Sequence, residues 1–152
     1  MPARRVAWVS DPSASPSPTP PPFVDKVAWV QVVDRRLLVA RSVGRELFYL
    51  PGGKREPGES DTQTLVREIE EELAVAIEPG TALHVGTFEA PADTRPDGRP
   101  VRLTCYTADH HGELVPSSEI EEIAWLSTAD GNRVSAANRL VLFHLHEAGL
   151  LD

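Results

Sequence analysis

The chain has 152 residues, is 41% hydrophobic and 25% charged, and carries a formal net charge of −8 at pH 7. This length suits one domain with its own core. The acidity argues against broad nucleic-acid or anionic-membrane binding, both of which need a basic surface, but leaves an anionic small molecule open, because a bound metal reverses the local field.

In chain order, Arg4 and Arg5 precede a short apolar run, Val6 to Val9, which lacks the length and cleavage site of a signal peptide. No segment is long enough to span a bilayer. Residues 10–22, SDPSASPSPTPPP, have a linker composition that stays extended and does not pack. A Pro-rich tail over 1–22 and one domain over 23–152 are therefore expected. Arg5-Val-Ala-Trp-Val9 resembles Lys26-Val-Ala-Trp-Val30. This is either chance or an extra edge strand, in cis or on a partner chain. The single cysteine, Cys105, forms no internal disulfide, which fits a reducing, cytoplasmic setting.

Val27 to Val33 and Leu37 to Ala40 are β-rich runs around Asp34-Arg35-Arg36, and read as a hairpin or close pair. Leu47 to Leu50 reads as a short strand stopped by Pro51-Gly52-Gly53. Ser60 opens a helix with Gln63 three residues on, a capping-box pattern, running to about Leu73. Pro79-Gly80 is a turn. Ala82 to Glu89 and Val101 to Ala108 read as strands joined by a hairpin loop at Arg95 to Pro100, and Glu122 to Leu126 as one more strand. Ser135 caps a last helix in which Ala137, Leu140, Val141, His144, Leu145 and Ala148 recur at helical spacing, and Gly149 ends it. This order suggests a mixed sheet covered by helices.

The helix from Ser60 carries the chemistry. At roughly 100° per residue, Glu72 lies about 40° to one side of Glu68 and Glu71 about 60° to the other, so three carboxylates share a face. Glu70 points nearly opposite. Leu65, Val66, Ile69 and Leu73 occupy the arc beside Glu72, placing the acids at the rim of a packed contact. Like charges at these spacings destabilise a helix by a few tenths of a kcal/mol per pair, and Arg67 is the only nearby cation. Clustered carboxylates suit Mg²⁺ or Mn²⁺; a solvated acidic face is the other reading of the helix alone. The preceding Gly52-Gly53 permits close backbone approach and offers a carbonyl to a metal, and Glu59 is placed to anchor Arg67.

The segment GGKREPGESDTQTLVREIEEELAV resembles the signature of the Nudix hydrolase superfamily: Gly, five residues, Glu, seven residues, then Arg-Glu-apolar-any-Glu-Glu-any-Gly-apolar. It maps onto Gly53, Glu59, Arg67, Glu68, Ile69, Glu71, Glu72 and Val75. Ala74 stands where glycine is usual. The resemblance implies an α/β/α sandwich with a mixed β-sheet and flanking helices, and metal-dependent hydrolysis of a nucleoside diphosphate linked to another group. It implies Glu71 and Glu72 as Mg²⁺ or Mn²⁺ ligands with the Gly52 carbonyl, Glu68 as a further ligand or the base, and Arg67 paired with Glu59. An acid beyond the signature often joins the metal site in this family; Glu119 is favoured over Glu122.

Arg41, Arg45, Lys54, Arg95, Arg99 and Arg102 are candidate phosphate contacts. Trp29, Phe48, Tyr49 and Phe88 are better explained by core packing than by base stacking, and the histidines show no metal pattern. Three functions compete: a MutT-like nucleoside triphosphate pyrophosphohydrolase, favoured by the small single domain; an ADP-ribose or nucleotide-sugar pyrophosphatase, hinted at by Pro91 some sixteen residues past the signature; and a non-catalytic Nudix-fold binding module, which has no use for the intact glutamates. The expected partner is a small nucleotide, with no nucleic acid and no membrane, acting on a monomer or homodimer.

Overall fold

Alternation along one strand sets the layering. The computed structural model describes residues 23–91 and 99–152, and labels below follow chain order. In β1 (Val24–Trp29), Val27 and Trp29 join a buried cluster with Leu65, Ile69 and Leu73 of α1 (Asp61–Leu73). Ala28 and the following Val30 join the opposite cluster, with Val141, Leu142 and Leu145 of α2 (Ala136–Glu147). β3 (Arg36–Ser42) repeats the pattern, Leu38 belonging to the α1 cluster and Leu37 and Val39 to the α2 cluster. A period of two thus sends successive side chains to opposite cores, and the strands lie between two helices. Trp29 is fully buried and donates its indole N–H to the Ala108 carbonyl at 3.1 Å.

β1 lies inside a mixed four-stranded sheet with β4 (Gly52–Lys54), β6 (Leu83–Ala90) and β7 (Val101–Thr107), in the order β4-β1-β7-β6. β1 and β7 run parallel and the other pairs antiparallel. β2 (Val32–Val33), β3 and β9 (Ile120–Leu126) form an antiparallel second sheet, and β5 (Ala76–Ile77) pairs with β8 (His110–His111). Pro79–Thr81 is a short 3₁₀ turn. The expected sandwich is present.

Three expectations need correction. The apolar run from Val27 to Val33 is two strands in different sheets, and only Val32–Val33 pairs back on β3. The two-residue turn places Asp34 and Arg35 at φ 51° and 63°, as a tight hairpin requires. Arg35 is then tied to the C-terminus through Asp152 Oδ1 at 2.6 Å and the Gly149 carbonyl at 2.9 Å. Leu47 to Leu50 is not a strand: it makes single bridges, Tyr49 to Ala40 and Phe48 to Val134, and the Leu50 N–H donates to Asn138 Oδ1 at 2.9 Å instead of to a ladder. In α2 the buried stripe is Ala137, Asn138, Val141, Leu142 and Leu145, while Leu140, His144 and Ala148 are exposed. The stripe turns toward Asn138 because its amide satisfies Leu50 N–H and also donates to Ser135 Oγ at 2.5 Å.

The Pro-rich tail, the Arg5–Val9 repeat and Arg95 lie outside the described residues. Among the described residues no helix is long and apolar enough to cross a membrane.

Candidate active site

α1 is fixed at both ends. Ser60 is its N-cap at φ −77°, ψ 168°; its Oγ accepts from Gln63 N at 3.1 Å, and Gln63 Oε1 accepts from Ser60 N at 2.9 Å, closing the capping box. At the other end Ala74 turns left-handed at φ 59°. The carbonyls of Leu73 and Glu72 accept from the N–H groups of Val115 and Ser117 at 2.9 and 2.8 Å. Those bonds satisfy carbonyls the helix leaves open and bring the loop carrying Glu119 to the end of the acidic face.

Beside the helix, β4 delivers two glycines at close quarters. Gly52 has φ 151°, and a Cβ there would stand 2.0 Å from the Val27 carbonyl oxygen. A Cβ on Gly53 would stand 2.5 Å from the Glu68 carboxyl carbon. The backbone requires glycine at Gly52, and at Gly53 a side chain would displace the Glu68 carboxylate. Gly52 N–H donates to Glu72 Oε1 at 3.3 Å.

Glu72 is 6% exposed. Burial, and then the neighbouring charge of Glu68, push its carboxyl up to about 8; Glu119 adds in the same direction and the Gly52 N–H opposes. Burial also raises Glu68, against the pull of Arg67. Arg67 is the hub of the signature loop. Its Nε and Nη2 meet both Glu59 oxygens at 2.7 and 2.8 Å, Nη1 donates to Glu68 Oε1 at 2.9 Å, and Nη2 donates to the Lys54 carbonyl at 3.0 Å. The fork holds Glu59 down at about 2, aided by the Glu56 N–H and Thr64 Oγ1.

A second guanidinium holds the loop from the other side. Arg55 binds Asp25 of β1 and Asp61, the first residue of α1, and Asp61 also accepts from Tyr106 Oη at 2.6 Å. Arg55 thus joins the loop to β1 and the helix start, and Asp61 adds Tyr106 of β7.

Between the sheet and α2 lies a cleft of about 660 Å³. Gly52, Gly53, Glu72 and Glu119 line its acidic part, Lys26 and Arg45 its cationic part, and Tyr49, Ser135 and Asn138 the remainder, with apolar side chains between.

The NUDIX domain family matches residues 9–144. The chain belongs to this family. Among its Nudix relatives, the CTP pyrophosphohydrolase of Escherichia coli strain K12 is 32% identical over 110 residues, 69% of this chain and 76% of that protein. The solution structure of the E. coli ORF135 protein aligns at TM-score 0.65 and 27% identity, covering 86% of this chain and 95% of that one. The MutT Nudix hydrolase of Burkholderia pseudomallei aligns at TM-score 0.66 and 25% identity, covering 80% and 97%. The chain is a Nudix hydrolase.

Within this Nudix fold the expected residues fall into two groups. Gly52, Gly53, Glu59, Arg67, Glu68 and Glu72 converge where β4 meets α1. Glu71 is exposed, one turn from Glu68 and close enough for its charge to act there; Glu70 is exposed as well. Glu119 lines the cleft, whereas Glu122 is bound to Arg41 at 2.8 Å. Among the candidate phosphate contacts, Arg45 lines the cleft. Arg41 is occupied by Glu121 and Glu122, and Arg102 by Glu89 and the Phe23 ring, 3.6 Å from its guanidinium carbon. Lys54 is exposed beside Gly53, with its carbonyl on Arg67. Trp29 and Phe48 are core residues and Phe88 packs against the core, but Tyr49 lines the cleft.

The sequence reading missed Lys26, Ser135 and Asn138 as cleft residues. The signal for Lys26 was alternation: it shares the face of Val24 and Ala28, which also line the cleft. Nothing in the sequence marked Asn138 beyond a polar residue on the apolar side of a helix.

Among the described residues no three His, Cys, Asp or Glu side chains converge into a ready-made metal cluster. The donors on hand are Glu72 and Glu68, the backbone at Gly52, and Glu119 across the cleft. Such a set fits Mg²⁺, which keeps several waters and uses one or two carboxylates. Buried Glu72 beside Glu68 also needs either a proton or a cation to be tolerated.

Proposed function

We propose that this Nudix hydrolase is a divalent-metal-dependent nucleoside triphosphate pyrophosphohydrolase, releasing a nucleoside monophosphate and pyrophosphate. The observation that carries this reading is the buried Glu72, next to Glu68 and against the Gly52 N–H, at the edge of a cleft that also holds cations. The name of the E. coli relative, CTP pyrophosphohydrolase, supports the same class.

In this reading Glu72 and the Gly52 backbone hold Mg²⁺ or Mn²⁺, with Glu71 and Glu119 completing the set and Glu68 left as the base. The bound cation supplies charge neutralisation of the phosphate chain. Glu68, raised by burial, accepts the proton of the attacking water as the new P–O bond forms and the anhydride bond breaks. Arg67 and Glu59 hold Glu68 and the loop in place. Arg45 and Lys54 face the substrate's charge, and Tyr49 stands where a base can stack.

One observation favours a second reading: Pro91 lines the cleft, which suits a pyrophosphatase for ADP-ribose or another nucleotide sugar. A panel of nucleoside triphosphates, dinucleotides and nucleotide sugars with Mg²⁺ and Mn²⁺ separates the two. Pyrophosphate released from triphosphates supports the first reading. Two monophosphates released from ADP-ribose, with triphosphates untouched, replace it with the second.

A further inference from the structure

We infer that Arg41 is a positioning residue for substrate binding: its guanidinium fixes the Ser42–Arg45 turn so that the Arg45 side chain meets the substrate's phosphate chain. This rests on the reading of the cleft as a phosphate-anhydride site, and it gives Arg41 a role in which it touches no substrate itself.

The turn is the first ground. Ser42, Val43 and Arg45 line the cleft, as does Glu119. Arg45 N–H donates to the Ser42 carbonyl at 3.0 Å and Gly44 sits at φ 81°, as a tight turn with glycine in its third place requires. Two further bonds decide where that turn points. Val43 N–H donates to the Glu119 carbonyl at 2.8 Å, and Arg41 Nη1 donates to the Arg45 carbonyl at 3.0 Å. The turn carrying the cation and the loop carrying the acid are therefore one unit in the wall of the cleft.

The start of β9 is the second ground. Glu121 and Glu122 are neighbours in a strand, and a period of two sends neighbours to opposite faces. Both nonetheless bind Arg41 Nη2, at 2.5 and 2.8 Å. A register shift allows it: Arg41 pairs with Glu122 and Ser42 with Ile120, leaving Glu121 as an extra residue. Such a bulge bends its strand and re-aims the side chains. The same guanidinium lies 5.9 Å from the centre of the buried Phe48 ring. Ion pairs to acids as exposed as these add little to stability. What one planar fork with three acceptors adds is direction, and what it directs is the turn that carries Arg45.

The test is a double-mutant cycle, read by calorimetric titration of inorganic pyrophosphate with Mg²⁺ present and no nucleotide. It takes wild type, R41M, R45M, R41M/R45M and R41K, each shown to be folded by thermal melting. R45M is expected to weaken binding about tenfold or more, the effect of losing a charge-assisted hydrogen bond. R41M should weaken it by about threefold to tenfold through misplacement alone. In the R45M background R41M should add no more than about twofold, because its effect passes through Arg45. R41K keeps the charge but lacks the fork, so it should bind as weakly as R41M. KM on the best triphosphate should follow the same order. Where R41M does not fold, the same cycle with R41K decides. Several results would overturn the inference: wild type that binds no pyrophosphate, R45M or R41M that binds as wild type, or R41M that weakens binding equally in both backgrounds. R41K that binds as wild type would overturn it too, marking Arg41 as a distant charge only. If the titrations follow the expected pattern and no triphosphate is hydrolysed, the functional reading falls while the role of Arg41 stands.

Discussion

Gly53 and Glu68 are in contact through the space a side chain would fill: a Cβ on Gly53 would stand 2.5 to 2.7 Å from the carboxyl carbon and both oxygens of Glu68. The carboxylate would have to swing aside, straining its 2.9 Å bond from Arg67. Gly53→Ala should therefore displace Glu68 and cost about tenfold or more in kcat/KM, with Tm changed by only a few degrees. Steady-state kinetics alongside thermal melting checks this. Full activity in the alanine variant would mean that the position of Glu68 does not matter to the reaction.

The Arg67–Glu59 fork predicts an acid-dependent stability. Glu59 is held at about 2, against an ordinary value of 4.5, so its stabilisation is present above about pH 4.5 and is lost as pH falls through about 2. Glu59→Gln should lower Tm near neutral pH, and the gap from wild type should narrow steadily as pH falls below about 4.5. Melting curves across that range measure it. A gap that is constant with pH would mean the pair contributes nothing through ionisation.

Glu72 predicts the opposite sign. Its folded value, about 8, exceeds the ordinary 4.5, so the folded state holds the proton more tightly than the unfolded chain. In chelator, the contribution is fully present below about pH 4.5 and lost as pH rises through about 8. Glu72→Gln, which needs no proton, should gain on wild type over that window. Mg²⁺ or Mn²⁺ should raise the Tm of wild type more at pH 8 than at pH 5.5, since the cation competes with the proton. A metal-induced shift independent of pH would count against Glu72 as a ligand.

Ala74 carries a conformation that alanine adopts at a cost. It is exposed and left-handed at φ 59°, which costs a residue with a Cβ about 1 kcal/mol. Ala74→Gly removes that strain and gives up part of the gain to the freer unfolded chain. A net rise in Tm of a few degrees with unchanged kinetics is expected. A lower Tm would show that the turn is held by something other than the strain.

The sequence was most legible where local chemistry is self-contained. Ser60 and Gln63 cap α1 as their spacing requires, and the rotation of the helix separates exposed Glu70 from buried Glu72. It also set Glu71 on the face of Glu68, where the structure has it exposed one turn away; rotation about an axis does not say how deep each residue of a face lies. Pairing was less legible. Val27 to Val33 read as one apolar strand, but the chain changes sheet between Trp29 and Val32, a choice made by long-range partners in β7 and β3. Asn138 was invisible as a cleft residue for the same reason, since it matters through Leu50, 88 positions away; alternation grouped Lys26 with Val24 and Ala28, but only the pairing of β1 with β4 makes that face a cleft. Arg41 and Arg102 read as candidate phosphate contacts because their acidic partners, 81 and 13 residues distant, are not evident in the sequence.

The most direct test is the turnover of nucleoside triphosphates by wild type and Glu72→Gln with Mg²⁺ and Mn²⁺. The substitution keeps the shape of a buried side chain and removes its charge. Wild type should release pyrophosphate only when metal is present, and Glu72→Gln should fall by about a hundredfold or more while melting at or above the wild-type temperature in chelator at pH 8. Near-normal, metal-dependent turnover by a folded Glu72→Gln would contradict the assignment of the buried carboxylate as the centre of this site.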